Sequence, residues 1–199
     1  MSGRSSAARD RWLNEGVTVL MTEGASGLRI DRLAARLGLS KGSFHHHFAG
    51  AHGYKIDLLH HLEDLLTSAL EAAIAETATE PDAPRAFAKL IEVTMTPDEK
   101  DEDGSQVYRQ QLEIALRAWA LTDADVAATQ ARIDRARVEG LSSLWRQFSA
   151  TEEEVRLRAL LPYVISLGAS VIMPPLGLDE LRKLYESIQP LVPQTATPH

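Results

Sequence analysis

The stretch Leu28-Arg-Ile-Asp-Arg-Leu-Ala-Ala-Arg-Leu-Gly-Leu-Ser-Lys-Gly-Ser-Phe-His-His-His-Phe48 decides how the chain is read. Leu33, Ala34 and Leu37 recur at helical spacing, Gly38 can take the positive φ that ends a helix, and Ser40 can cap a following helix through its hydroxyl. This is the pattern of two short helices joined by a tight turn, a helix-turn-helix. The small Ala34 lets the second helix cross close over the first, while Leu37, Leu39 and Phe44 supply the apolar wedge that fixes their angle. Lys41, Ser43, His45 and His46 are left facing outward.

Over residues 30–48 the chain resembles the TetR family of bacterial repressors, whose second and third helices this run matches throughout. The resemblance implies an all-α fold, with an N-terminal three-helix helix-turn-helix DNA-binding domain followed by a larger helical ligand-binding and dimerisation domain. It also implies a homodimer on a palindromic operator and a small-molecule ligand of unknown identity, with repression as the family's usual mode. Two positions depart from the pattern: Arg29 stands where Thr or Ser usually caps the second helix, and His45 where Tyr usually meets a phosphate.

The expected recognition helix runs from Lys41 to His47, a length suited to the major groove, and its first turn carries the small Gly42 and Ser43 that let backbone approach a duplex. Lys41 is the first candidate for a phosphate or guanine contact, followed by Ser43 and His46. Arg29, at the start of the preceding helix, should meet a phosphate. His45 and His47 can donate to phosphate oxygens, and Ser40 sits at the head of the helix. Three consecutive histidines also raise a metal site, but successive helical positions diverge by about 100°, so His45, His46 and His47 cannot converge on one ion. No metal and no cofactor is expected.

Charge supports a reader at one end. The 199 residues carry a formal net charge of −7, yet residues 1–61 hold 8 Lys plus Arg against 5 Asp plus Glu, and six of the seven histidines fall there. A basic end on an acidic body fits a protein that touches phosphate with one end only. With no cysteine, there is no disulfide framework, thiolate metal site or thiol nucleophile, and a reducing cytoplasm is the simplest home. The first residues lack the apolar core of a signal peptide and carry Arg4, Arg9 and Arg11.

The remaining elements are expected as follows. Residues 1–8 read as a flexible tail, and residues 9–22 as a first helix with Trp12, Leu13, Val17, Leu20 and Met21 on one face, ending at Gly24. Residues 49–53 read as a loop. A long helix then runs from Tyr54 to about Glu76 and joins both regions as a lever. These readings divide the chain into a DNA-binding domain (1–53), a ligand-binding and dimerisation domain (54–190) and a loose tail (191–199).

Within the second domain, Asp82 should cap a helix carrying Phe87, Leu90, Ile91 and Met95. Residues 97–104 nearly spell a calcium loop but lack its bidentate Glu, which is Gln110 here, so a solvated acidic loop is expected. Leu66, Phe87, Met95, Tyr108, Gln111 and Trp119 are the candidate lining of an apolar ligand site with a few polar handles, although each could equally fill a core.

Two long helices follow, over about 123–148 and 151–173. Residues 159–178 carry no charge, which raises a membrane span, but Pro162 and Pro174-Pro175 should leave only a short uninterrupted helix. The expectation is instead a four-helix bundle between two copies, with Ile133, Leu141, Leu144, Trp145, Phe148, Val164, Gly168 and Val171 at the dimer interface and no membrane partner. Asp179 should cap a closing helix. No nucleophile elbow, phosphate-cradling glycine loop or zinc-protease motif occurs, so no catalytic residues are expected and the chain does not read as an enzyme. The competing reading is a protein-interaction module with a vestigial helix-turn-helix.

Overall fold

The computed structural model describes residues 2–95, 105–174 and 176–189, and the side chains of 2–6, 95 and 105–109 fall outside that description. The described residues form nine α-helices and no strand: α1 (Ser2–Glu23), α2 (Ile30–Leu37), α3 (Lys41–His47), α4 (Gly50–Thr77), α5 (Ala83–Met95), α6 (Ser105–Ala120), α7 (Ala124–Arg146), α8 (Glu152–Val171) and α9 (Leu178–Ile188). The expected calcium-like acidic loop lies outside the described residues.

Helix ends follow local chemistry. Gly24 at φ +72° stops α1, and Gly38 at φ +63° stops α2 with its N–H returned to the carbonyls of Ala34 and Ala35. The Ser40 hydroxyl accepts from the Ser43 amide at 3.2 Å and starts α3. Asp82 accepts from the Arg85 amide at 2.9 Å ahead of α5, and Thr151 from the Glu154 amide at 3.2 Å ahead of α8.

Four expectations are corrected. Helix α1 begins at Ser2 rather than near Arg9, because nothing in Ser5-Ser-Ala-Ala-Arg9 breaks a helix, and Arg9 is tied down by Asp57 at 3.0 Å. Helix α4 begins at Gly50, so the loop before it is short. Gly53 reads as a loop signal, yet it sits inside α4, where a Cβ would lie 3.1 Å from that of Ala49. Pro162 does not interrupt α8, which stays helical over 20 residues. A proline removes one backbone donor from the ladder. Its own carbonyl accepts the Tyr185 hydroxyl at 2.9 Å, which ties α8 to α9. Finally, Gly177 and not Asp179 is the N-cap of α9, and the Glu180 carboxylate accepts from the Gly177 amide at 3.3 Å. Among the described residues no helix is long and apolar enough to cross a membrane.

The chain forms two compact units. The first comprises Met1–Leu65 and Tyr108–Arg132, and its core is built from Trp12, Val17, Leu20, Leu33, Phe44, Leu58 and Leu62, with Leu112, Leu116 and Val126 from α6 and α7. The second comprises Leu66–Val107 and Ile133–His199. Its core packs Ala73, Leu141, Leu144, Val155, Ala159 and Leu181 around the rings of Phe87, Trp145 and Tyr185, with Phe87 6.0 Å from Trp145 and 6.1 Å from Tyr185.

Burial differs among the residues expected at the dimer interface. Ile133, Leu141, Leu144 and Trp145 are buried within one copy of the chain, so they have no surface to offer a partner. Phe148 is half-buried against the same cluster. Val164, Gly168 and Val171 are exposed.

Candidate nucleic-acid interface

The reader is built outward from Phe44. Its ring lies 5.3 Å from Trp12, 5.0 Å from Phe48 and 5.4 Å from Tyr54, and Phe48 and Tyr54 meet at 4.9 Å. The Tyr54 hydroxyl donates to the Trp12 carbonyl at 2.8 Å. Burial pushes the Tyr54 phenol well up, and the charge of Glu15 adds to the shift, so the hydroxyl stays a donor. A Cβ at Gly16 would collide with this hydroxyl, so glycine is needed where α1 passes α4.

With Phe44 anchored inward, one side of α3 faces solvent. Lys41 and His45 form one i, i+4 pair on it and Gly42 and His46 another, and all four are exposed. Ser43 and His47 are half-buried at its margin, and Ser40 is exposed at its head. Arg29 is exposed just before α2, 3.5 Å from Asp31. The expected DNA-contacting residues thus lie on α3, at its head and just before α2, all in the first unit. The three imidazoles diverge: His45 stands edge-on to Phe44 at 5.4 Å, while His46 turns to His47 at 5.1 Å. No group of three or more His, Cys, Asp or Glu among the described residues could hold a metal.

Several basic residues near this end are committed elsewhere. Arg36 pairs with Glu15 and, at 2.7 Å, with Glu23; Arg32 reaches Glu23 at 3.3 Å; Arg11 donates to the Leu37 carbonyl at 3.1 Å. These contacts bind α2 to α1 and subtract charge from the count of free cations. Sequence spacing gives no sign of them, because the partners are distant in the chain. Arg9 likewise pairs with Asp57 and lies over the Phe48 ring, 5.7 Å from its centroid.

Lys55 was not singled out by sequence either. Its ammonium bridges Asp125 at 2.6 Å and Asp123 at 3.0 Å. Hydrogen bonds donated to Asp125 and then Asp123 raise the Lys55 pKa, and the hydrogen bond accepted from Lys55 foremost lowers that of Asp123.

The candidate ligand residues are divided between the units. Leu66 and Phe87 are buried in the second, whereas Gln111 is exposed and Trp119 half-buried in the first. The side chains of Met95 and Tyr108 lie outside the described residues. A polar cluster not foreseen from the sequence lies in the first unit. There the buried Glu113 carboxylate accepts from Arg117 at 2.7 Å and from the Gln130 amide at 3.3 Å. The Glu113–Arg117 spacing is legible as an i, i+4 pair, but its burial is not.

The chain matches no known sequence family and no curated protein. Solved structures do share its fold. A transcriptional regulator from Rhodococcus sp. Rha1 is 19% identical over 92% of this chain and 95% of its own, with a TM-score of 0.71. A protein from Rhodococcus sp. described as a TetR-family transcriptional regulator is 18% identical over 94% of this chain and 98% of its own, also with a TM-score of 0.71. A protein from Saccharomonospora viridis described as a transcriptional regulator, solved in complex with choline, is 19% identical over 92% and 95%, with a TM-score of 0.66. The chain therefore has the fold of the TetR-family regulators.

Proposed function

We propose that this chain is a sequence-specific DNA-binding transcriptional regulator that reads a palindromic operator as a homodimer. The observation that carries the reading is the exposed stripe of Lys41, Gly42, His45 and His46 on α3, held outward by the packing of Phe44 against Trp12, Phe48 and Tyr54. A short helix braced from behind, with small residues in its first turn and cationic or donor groups along its outer side, suits insertion into a major groove. Arg29 and Lys41 supply charge to phosphates, and Ser43, His46 and the remaining histidines supply hydrogen bonds.

Pairing of two copies is supported by α8. Leu157, Leu161, Val164, Gly168 and Val171 recur at spacings of four, three, four and three and are exposed in the single chain. Leu157, Val164 and Val171 show 61%, 59% and 58% of their surface. An apolar stripe of this period is the seam of a helix pair, and a second copy would cover it isologously. Two linked α3 helices would then read half-sites one helical turn of DNA apart or a multiple of it.

Ligand response is the third part of the reading. The Saccharomonospora viridis protein of this fold was solved with choline. Here Leu66 and Phe87, both buried in the second unit, are the candidates for such a lining. Because α4 runs unbroken from Gly50 to Thr77, a ligand that favours one position of its later turns would shift its first turns and the separation of the two readers. The test is a gel-shift titration of the whole chain against genomic fragments at several salt concentrations. A regulator shifts a few fragments selectively, with affinity falling steeply as salt rises. Equal, weak shifts of every fragment would leave only nonspecific attraction.

A further inference from the structure

The Lys55 Nζ lies 2.6 Å from one oxygen of Asp125 and 3.0 and 3.2 Å from the two oxygens of Asp123. One ammonium thus serves two carboxylates at the very start of α7. Asp123 is engaged twice over, because its Oδ1 also accepts from the Asp125 and Val126 amides at 3.0 and 3.3 Å, which starts the helix. Without Lys55 the two carboxylates would face each other two residues apart, opposed only by the helix N-terminus.

Lys55 also follows Tyr54, whose ring packs on Phe44 and Phe48 and whose hydroxyl holds Trp12. Adjacent helical residues point about 100° apart, so a single turn of α4 grips the back of the reader on one side and the first turn of α7 on another. A chain of contacts therefore leads from Asp123 and Asp125 through Lys55 and Tyr54 to Phe44 and the outer stripe of α3, all inside the first unit. A lysine near the front of α4 would ordinarily be counted as a phosphate ligand. This one keeps only 22% of its side chain exposed and would have to leave two acids to reach a duplex.

We propose that Lys55 is a positioning residue for DNA recognition: its ion pairs with Asp123 and Asp125 fix the orientation of α4, and through Tyr54 that of α3, and it adds no charge to the phosphate contact. The proposal rests on the reading of α3 as the operator-binding helix.

The experiment is fluorescence anisotropy of the full chain against its best-shifted genomic duplex and a scrambled duplex, over a range of salt, for wild type, K55M, K55R and the double variant D123N/D125N. Asparagine caps helices about as well as aspartate, so the double variant keeps the start of α7. Thermal melts of each variant run in parallel. K55M and D123N/D125N should each weaken operator binding about tenfold, the size of a typical coupling between sites. Both should weaken the scrambled duplex less and leave the slope of log affinity against log salt unchanged. K55R, which keeps the charge, should stay near wild type. If K55M instead lowers that slope by about one unit while D123N/D125N binds more tightly, Lys55 is a phosphate ligand restrained by the two acids, and the proposal is overturned. Wild-type affinity in every variant overturns it as well. Failure of the wild type to bind any duplex is a separate result that refutes the reading of α3 together with this one.

Discussion

Tyr54 donates its hydroxyl to the carbonyl of Trp12 across 42 residues of sequence, and both side chains are buried. Gly16 lies one turn beyond Trp12, at the place where a Cβ would strike that hydroxyl. Tyr54→Phe should therefore cost about 1 kcal/mol, because a buried hydrogen bond is lost while the Trp12 carbonyl keeps its place in the helical ladder. At this size that corresponds to a drop in melting temperature of about 2–4 °C per kcal/mol. Gly16→Ala should cost more, since backbone or ring must move. Thermal melts of the two variants check the order, and an unchanged Gly16→Ala melt would contradict the packing described.

Phe44 is the one fully buried side chain of α3. Phe44→Ala should destabilise the chain by about 3–5 kcal/mol through lost transfer energy and a residual hole. Phe44→Leu should cost less and keep α3 in place. Urea unfolding followed by circular dichroism measures both; a loss below about 1 kcal/mol for the alanine variant would mean that α3 is not braced as described.

His61 gives stability a dependence on pH. Its Nε2 lies 2.9 Å from the Asn14 Oδ1, and burial holds its pKa below the usual 6.5, with Arg9 acting in the same direction against Asp10 and Asp64. The folded state thus resists a proton that the unfolded state accepts. The His61 contribution is fully present above pH 6.5 and is lost as pH falls from there through the folded value. His61→Gln should flatten the melting-temperature profile between pH 7 and pH 5 relative to wild type. Parallel profiles would show that other groups carry the dependence.

The stripe on α8 predicts assembly. Val164→Glu places a charge at the centre of the proposed seam, on a side chain that is 59% exposed in the single chain. Light scattering should report a dimer for wild type and a monomer for the variant, with little change in helix content. Operator affinity should fall by at least about tenfold when two half-sites can no longer be engaged together. A monomeric wild type would remove the palindrome from the account.

Much of the reader was legible because its signals are local. Gly38, Ser40 and the spacing of Leu33, Ala34 and Phe44 specify α2, the turn and α3 within a few residues, and each appears where expected. Position within the body was less legible. Leu141, Leu144 and Trp145 form an apolar stripe that suits a core as well as an interface, and only tertiary packing shows that their own chain covers them. Gly53 and Pro162 misled for a related reason, since each carries a strong local breaker signal yet sits inside a long helix, α4 or α8. The partners of Arg36, Lys55 and Glu63 carry no local signal at all. Glu63, for instance, meets Arg132 at 2.7 Å across 69 residues.

The outer side of α3 as a reader of duplex DNA is tested most directly by selecting bound genomic fragments with wild type and with Lys41→Ala/His46→Ala, at matched salt and with matched melting temperatures. Wild type should enrich a few fragments sharing an inverted repeat. The double variant should lose that enrichment, and the slope of its log affinity against log salt should be shallower by about one unit for the lost lysine contact. The same fragments enriched to the same degree by both proteins would contradict the assignment.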